Sequence, residues 1–199
     1  MYSQKQLSQY INDLASGNSA PGGGSAAAVV ASLGIALSSM VARFSLNQKL
    51  NKLIKVLLKK NEILRRKLVL LIDRDIIVYL KLEDSRKIPK SAKQRKILIE
   101  KNLKQAVLVP LEVCRLINSA MQLCQEITMV GNKNLITDSG CAVLFLASAF
   151  SASRLNIKIN LKYMKDKKFV KTQETQLRKM EKNVFRIKKI IEKQIKEFM

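Results

Sequence analysis

The chain has 199 residues, 47% apolar and 26% charged, a balance that excludes intrinsic disorder and is enough for a real hydrophobic core. It contains no histidine, which removes the commonest metal ligand and the commonest general base together. Lys and Arg total 37 against 15 Asp and Glu, a net charge of +22 that concentrates anions around the protein. Nucleic acid, an acidic membrane surface and a polyanionic metabolite all answer to that charge, as does a merely solvated lysine-rich surface. Cys114, Cys124 and Cys141 form no CxxC pair. With no secretory signal over Met1–Gly17, they are expected to be reduced, mostly buried thiols in a cytoplasmic protein.

In chain order, Ser3 is placed to cap a first helix through about Ser16, with Leu7, Tyr10, Ile11 and Leu14 on one face and Gly17 as its stop. Asn18 to Gly24 reads as irregular, because Pro21 sets one backbone angle and Gly22, Gly23 and Gly24 free the next. A second helix is predicted from about Ser25 to Ser45, built almost wholly of Ala, Ser, Gly, Val, Leu and Ile. It is apolar all round and about long enough to span a bilayer. Its Ser and Ala content, the closing Arg43 and the lack of a matching segment favour a central core helix instead.

A long helix follows over about Gln48–Asp84, with a stripe of Leu53, Leu57, Leu64, Leu68, Ile72, Tyr79 and Leu82, and Pro89 ends the connection after it. The next runs from about Ser91 to Met129, where Pro110 is expected to kink or split it. A loop at Gly131–Asn134 precedes a helix over Asp138–Met164, capped by Thr137 or Asp138. A basic amphipathic helix over Lys168–Phe198 completes the chain. No alternating strand and no repeat occurs. The reading is one all-α domain over 1–199, an antiparallel array of about six helices with two long ones.

Asp75 continues the apolar stripe between Ile72 and Tyr79. An inward carboxylate is costly unless paired or hydrogen-bonded, so Asp75 marks either a functional site or a buried ion pair. Pro21-Gly22-Gly23-Gly24-Ser25 opens directly into a helix and offers free N–H groups to an anionic or carbonyl-bearing ligand, or is a plain turn. It lacks the ending of a P-loop and the preceding strand of a dinucleotide fingerprint. Asp138, Asn156 and Asn160 share one face of one helix. Asp138 and Asn156 are about 27 Å apart along the axis, too far for one compact pocket in one subunit. They serve an elongated ligand, or copies brought together in a dimer, or structure alone, with Asp138 a helix cap.

Together these landmarks resemble the formiminotetrahydrofolate cyclodeaminase and methenyltetrahydrofolate cyclohydrolase family. The likeness rests on Pro21–Ser25 before an Ala-rich helix ending Met40-Val41, then Asp73-x-Asp75, Pro110, Gly131-Asn132, Thr137-Asp138, Asn156 and Asn160-Leu161, in that order. It runs from about Leu7 to Leu161 and implies an all-helical homodimer with folate sites near the subunit interface. It implies hydrolysis of 5,10-methenyltetrahydrofolate to 10-formyltetrahydrofolate, or closure of 5-formiminotetrahydrofolate with release of ammonia.

The reacting carbon is already electrophilic, so no metal and no cofactor is expected. On this reading Asp75 moves the proton, Asp138 and Asn132 orient the pterin or the attacking group, and the Gly22–Ser25 backbone holds a carbonyl or carboxylate. Asn156 and Asn160 complete the binding set, and the basic surface draws in the glutamate or polyglutamate tail. The lack of a formiminotransferase domain leans towards the cyclohydrolase. Ile76-Ile77-Val78, Asn47–Leu50 and Thr137 depart from the family pattern, and the first two bear on the width of the pocket. The competing readings are a basic helical nucleic-acid-binding module and a family member that has lost activity; the chain carries no recognised nucleic-acid motif and few aromatics.

Overall fold

A computed structural model describes residues 1–46 and 51–198. It is all-α: a short 3₁₀ turn at Tyr2–Gln4 leads into α1 (Leu7–Ala15), α2 (Gly23–Phe44), α3 (Asn51–Lys87) and α4 (Arg95–Val130). A second 3₁₀ turn at Lys133–Leu135 leads into α5 (Ile136–Lys162), and α6 (Lys167–Phe198) ends the chain. No strand occurs among the described residues. Three helices exceed thirty residues rather than two, because α6 runs 32 residues beside the 37 of α3 and 36 of α4. The start expected at Gln48 and the departures at Asn47–Leu50 lie outside the described residues.

Side-chain contacts give the helix directions. Asn61 of α3 bonds Ser38 of α2 while Asp75 meets Gly24, so α2 and α3 are antiparallel. Gly34 of α2 faces Ala142 and Leu146 of α5 while Gly23 faces Asn156, so that pair is antiparallel as well. Cys114 and Cys124 of α4 reach the carbonyls of Phe150 and Ser139, which sets α4 against α5 in the same manner.

Small residues let α2 sit at the centre. A Cβ added at Gly34 would lie 2.9 Å from Leu146 Cγ and 3.0 Å from the Ala142 carbonyl, so the two backbones close only over glycine. Ala27, Ala28, Ala31, Ile35, Val41 and Ala42 of the same helix are buried. Helix α6 closes the bundle with one regular stripe, Gln173, Leu177, Met180, Val184, Ile187 and Ile191, all buried at alternating four- and three-residue steps. Each apolar member contributes about 1.5–3 kcal/mol by leaving water.

Several local expectations are corrected. Ser3 does not cap α1; its hydroxyl and N–H, with the N–H of Tyr2, bond the buried carboxylate of Asp73 instead. Of the α1 face only Tyr10 is buried, and Leu7, Ile11 and Leu14 are exposed. The end of α1 is as expected, at Ala15 with Ser16 as its C-cap and Gly17 directly after it. Leu53 and Tyr79 of the α3 stripe are exposed, whereas Leu57, Leu68, Ile72 and Leu82 are buried.

Helix α2 begins at Gly23 rather than Ser25, and no described glycine has positive φ; of the triplet only Gly24 is required for space, while Gly22 and Gly23 have room for a Cβ. Helix α4 runs unbroken through Pro110. Helix α5 begins at Ile136, which puts Thr137 and Asp138 inside the first turn instead of at its cap. The membrane-like character also extends further than expected: Gly23–Phe44, Arg95–Val130 and Lys133–Lys162 are all long and apolar enough to cross a bilayer. Here α2, α4 and α5 share one core, through Ala31, Ile117 and Leu146 among others.

Candidate functional site

At the N-terminus of α2, Gly22 is extended and its carbonyl accepts the first helical bond, from the N–H of Ala26 at 3.0 Å. The N–H groups of Gly23, Gly24 and Ser25 therefore have no partner within the helix and point out of its end, the positive pole of the peptide dipoles. The carboxyl of Asp75, on α3, is set directly against this turn. A Cβ at Gly24 would lie 2.6 Å from its Cγ and 2.6 Å from Oδ2, so only glycine admits the carboxyl here. Burial pushes Asp75 from the ordinary 3.8 up to about 6, and the backbone N–H of Ser25 opposes this only in part. Such a group exchanges protons near neutral pH.

Beneath it lies a small polar relay. The Ser25 hydroxyl is 3.1 Å from the Tyr10 hydroxyl. The Tyr10 phenol is raised chiefly by burial; the Ser25 hydroxyl opposes the rise and the charge of Asp75 adds to it. Tyr2 stands edge-on to Tyr10 with ring centroids 5.5 Å apart, and its backbone is tied to Asp73. The two acidic residues of the Asp73-x-Asp75 pair thus part company: Asp73 anchors the N-terminal segment, and Asp75 faces a cavity.

That cavity has a volume of about 300 Å³. Gly22, Gly23, Gly24, Asp75, Asn156 and Asn160 line it, and so do Tyr79 and Arg86. It continues into a more open groove of about 810 Å³ that shares Tyr79, Arg86, Asn156 and Asn160 and adds Arg95 and Tyr163. Ile76 and Val78 are in the cavity wall, whereas Ile77 is exposed. Tyr79 and Arg86 are absent from the site expected on sequence, although Asp75, Tyr79, Leu82 and Arg86 recur at four-, three- and four-residue steps along one helical face. For Tyr10 the sequence pattern signals packing alone.

Pro21, joined to Ala20 by a cis peptide bond, is buried outside the lining, and Ser25 is buried behind it. Asn132 and Asp138 lie at the other end of the bundle. The Asn132 N–H bonds Ser45 Oγ at 2.8 Å, just past the C-terminus of α2, and its side chain accepts from Asn134 N. Twenty-one residues of rise separate Ser45 from Gly24, about 30 Å. Within one chain neither Asn132 nor Asp138 shares a cavity with Asp75.

Residues 6–179 match the formiminotransferase-cyclodeaminase family. The chain belongs to that family. The match extends past both ends of the likeness legible between Leu7 and Leu161. A methenyltetrahydrofolate cyclohydrolase of Methylorubrum extorquens is 32% identical over 177 residues, 85% of each chain. A formimidoyltransferase-cyclodeaminase of Rattus norvegicus is 29% identical over 82% of this chain, which spans only 32% of that longer protein. The crystal structure of a formiminotetrahydrofolate cyclodeaminase from Thermotoga maritima superposes with a TM-score of 0.92 at 25% identity, covering 99% of this chain and 98% of that one.

Proposed function

We propose that this family member is a folate one-carbon enzyme that hydrolyses 5,10-methenyltetrahydrofolate to 10-formyltetrahydrofolate, with Asp75 as its general base and acid. The observation that carries the reading is one carboxyl, poised near neutral pH, set against free backbone N–H groups in a cavity. As water adds to the carbon between N5 and N10, Asp75 takes a proton from it. The carbon–N5 bond then breaks, Asp75 returns the proton to N5, and the formyl group stays on N10. One further proton is released to solvent, which balances the charge of the methenyl cation. The scheme asks for no metal and no cofactor.

Hydrolysis is put first because the Methylorubrum extorquens cyclohydrolase is 32% identical to this chain, against 25% for the Thermotoga maritima cyclodeaminase. Closure of 5-formiminotetrahydrofolate with loss of ammonia is the second reading, supported by the superposition with that cyclodeaminase. In it the same carboxyl takes the proton from N10 and returns it to the departing nitrogen.

The glutamate or polyglutamate tail is assigned to the open groove, where Arg86 and Arg95 supply positive charge. A homodimer is part of the proposal. Leu7 and Ile11 of α1, Leu33 of α2 and Leu144, Phe145 and Leu155 of α5 leave more apolar surface exposed than a solvent-facing bundle needs. A second copy also offers the one route by which Asn132 and Asp138 reach a site. The protein is further read as cytoplasmic and free of the membrane: α2, α4 and α5 share one core, and the apolar residues that α2 and α5 leave exposed are assigned to the second copy.

Absorbance of methenyltetrahydrofolate tests this directly. Its decay on adding protein supports hydrolysis, and its growth from 5-formiminotetrahydrofolate supports ring closure. No change with either compound ends both readings.

A further inference from the structure

Helix α4 continues through Pro110 although proline has no N–H to close onto the carbonyl four residues back, that of Ala106. Asn160 of α5 supplies the missing donor, its Nδ2 lying 3.0 Å from that carbonyl. Ala106 and Asn160 both line the cavity, and Pro110, itself buried, does not. A side-chain amide has a donor end and an acceptor end, and a carbonyl accepts only from the donor end. The orientation of the Asn160 amide is therefore forced by chemistry.

With one Nδ2 hydrogen on Ala106, the amide plane is fixed and Asn160 keeps its Oδ1 acceptor at a set position, beside its second N–H. Asn156, one turn earlier, commits its own Nδ2 to the Ala152 carbonyl at 3.1 Å. Helix α5 thus holds two oriented amides whose Oδ1 atoms are available as acceptors, while the end of α2 brings donors to the same cavity.

We propose that Pro110 is a positioning residue: by freeing the Ala106 carbonyl it locks Asn160, so that Oδ1 is held as the acceptor for an N–H of the bound ligand. A reduced pterin carries such N–H groups, and this last step rests on the folate reading above. With an N–H at position 110 the Ala106 carbonyl is satisfied within α4, and the Asn160 amide is free to offer either end.

The test is a cycle of wild type, Asn160→Ala, Pro110→Ala and the double variant. With Pro110 present, Asn160→Ala should lower Tm by about 2–4 °C, the cost of one lost bond in a chain of this size. In the Pro110→Ala background, where the new backbone N–H takes the carbonyl, it should lower Tm much less. Additive changes in Tm overturn the relay between Pro110 and Asn160. In turnover of 5,10-methenyltetrahydrofolate, Asn160→Ala should raise KM about threefold to tenfold, the worth of one hydrogen bond, with less of the loss in kcat. An unchanged KM beside a preserved Tm coupling overturns the acceptor role and leaves Asn160 structural. Should wild type turn over neither folate, the functional reading fails on its own; the Tm cycle still reads the relay, and calorimetric binding of tetrahydrofolate still reads the acceptor. Equal binding by wild type and Asn160→Ala then overturns it.

Discussion

Asp75→Asn swaps a carboxyl for an amide of nearly the same volume, keeping the contact with Gly24 while removing the charge. Burial raises the Asp75 pKa from 3.8 to about 6, which corresponds to about 3 kcal/mol against the ionised form. The open side of the cavity screens part of this, so about 1–3 kcal/mol is the expected effect. The sign follows from linkage. Because the folded pKa lies above the unfolded one, the native state holds the extra proton between about pH 4 and 6, and wild type loses stability as pH rises through that window.

Wild type and Asp75→Asn should therefore unfold at similar urea concentrations near pH 4. The variant should become the more stable as pH approaches 6 and hold that lead at pH 8. Turnover of methenyltetrahydrofolate by the variant should fall by about 10²–10⁴, the usual contribution of a general acid–base group. Urea unfolding at four pH values and one absorbance assay measure both. A variant no more stable than wild type at pH 8 would refute the desolvation argument. Full turnover by it would remove Asp75 from the chemistry.

Gly24→Ala would drive a methyl group into the Asp75 carboxyl; overpacking costs about 1–3 kcal/mol, and activity should fall with the displaced acid, as denaturant titration and the absorbance assay would show together. Gly34→Ala meets Leu146 and the Ala142 backbone far from the cavity, so it should cost a similar about 1–3 kcal/mol while leaving KM in place. Glu62 is held at about 2, below its ordinary 4.5, mainly by its hydrogen bond with Arg65 and also by Arg43. Its stabilisation is present above about pH 4.5 and lost as pH falls towards 2, so acid unfolding curves of wild type and Glu62→Gln should converge at the acid end. Burial pushes the thiols of Cys114 and Cys124 up to about 12 and about 11; a thiol reagent should label at most one cysteine, Cys141, in the native protein and three once it is unfolded.

Much of the site was legible because its pieces carry local signals. The inward position of Asp75 follows from the three- and four-residue rhythm of α3, and that same rhythm points on to Tyr79 and Arg86. The small residues of α2 announce a helix that others approach closely, as Gly34 and Gly24 do. On sequence the glycine triplet signals backbone freedom, yet Gly24 serves as room for the Asp75 carboxyl, and nothing near it in sequence records what comes to face it. Asp138 shares a helical face with Asn156, but a shared face says nothing of depth, and some five turns of helix carry it to the far end of the bundle.

What the amino-acid order determined alone was the set of helices, the inward stripe in the middle of α3 and the family, since these depend on neighbours three or four residues apart and on the order of short motifs; the faces of α1 and of the start of α3 were not among them. What the tertiary structure decided was convergence. Residues from α2, α3, α4 and α5 meet at one end of the bundle, between Gly22 and Asn160, because packing of small-residue faces fixes which helix ends come together. Pro110 shows the division most plainly. From local chemistry it should have interrupted α4; a side chain fifty residues away completes the helix and in doing so has its own amide oriented.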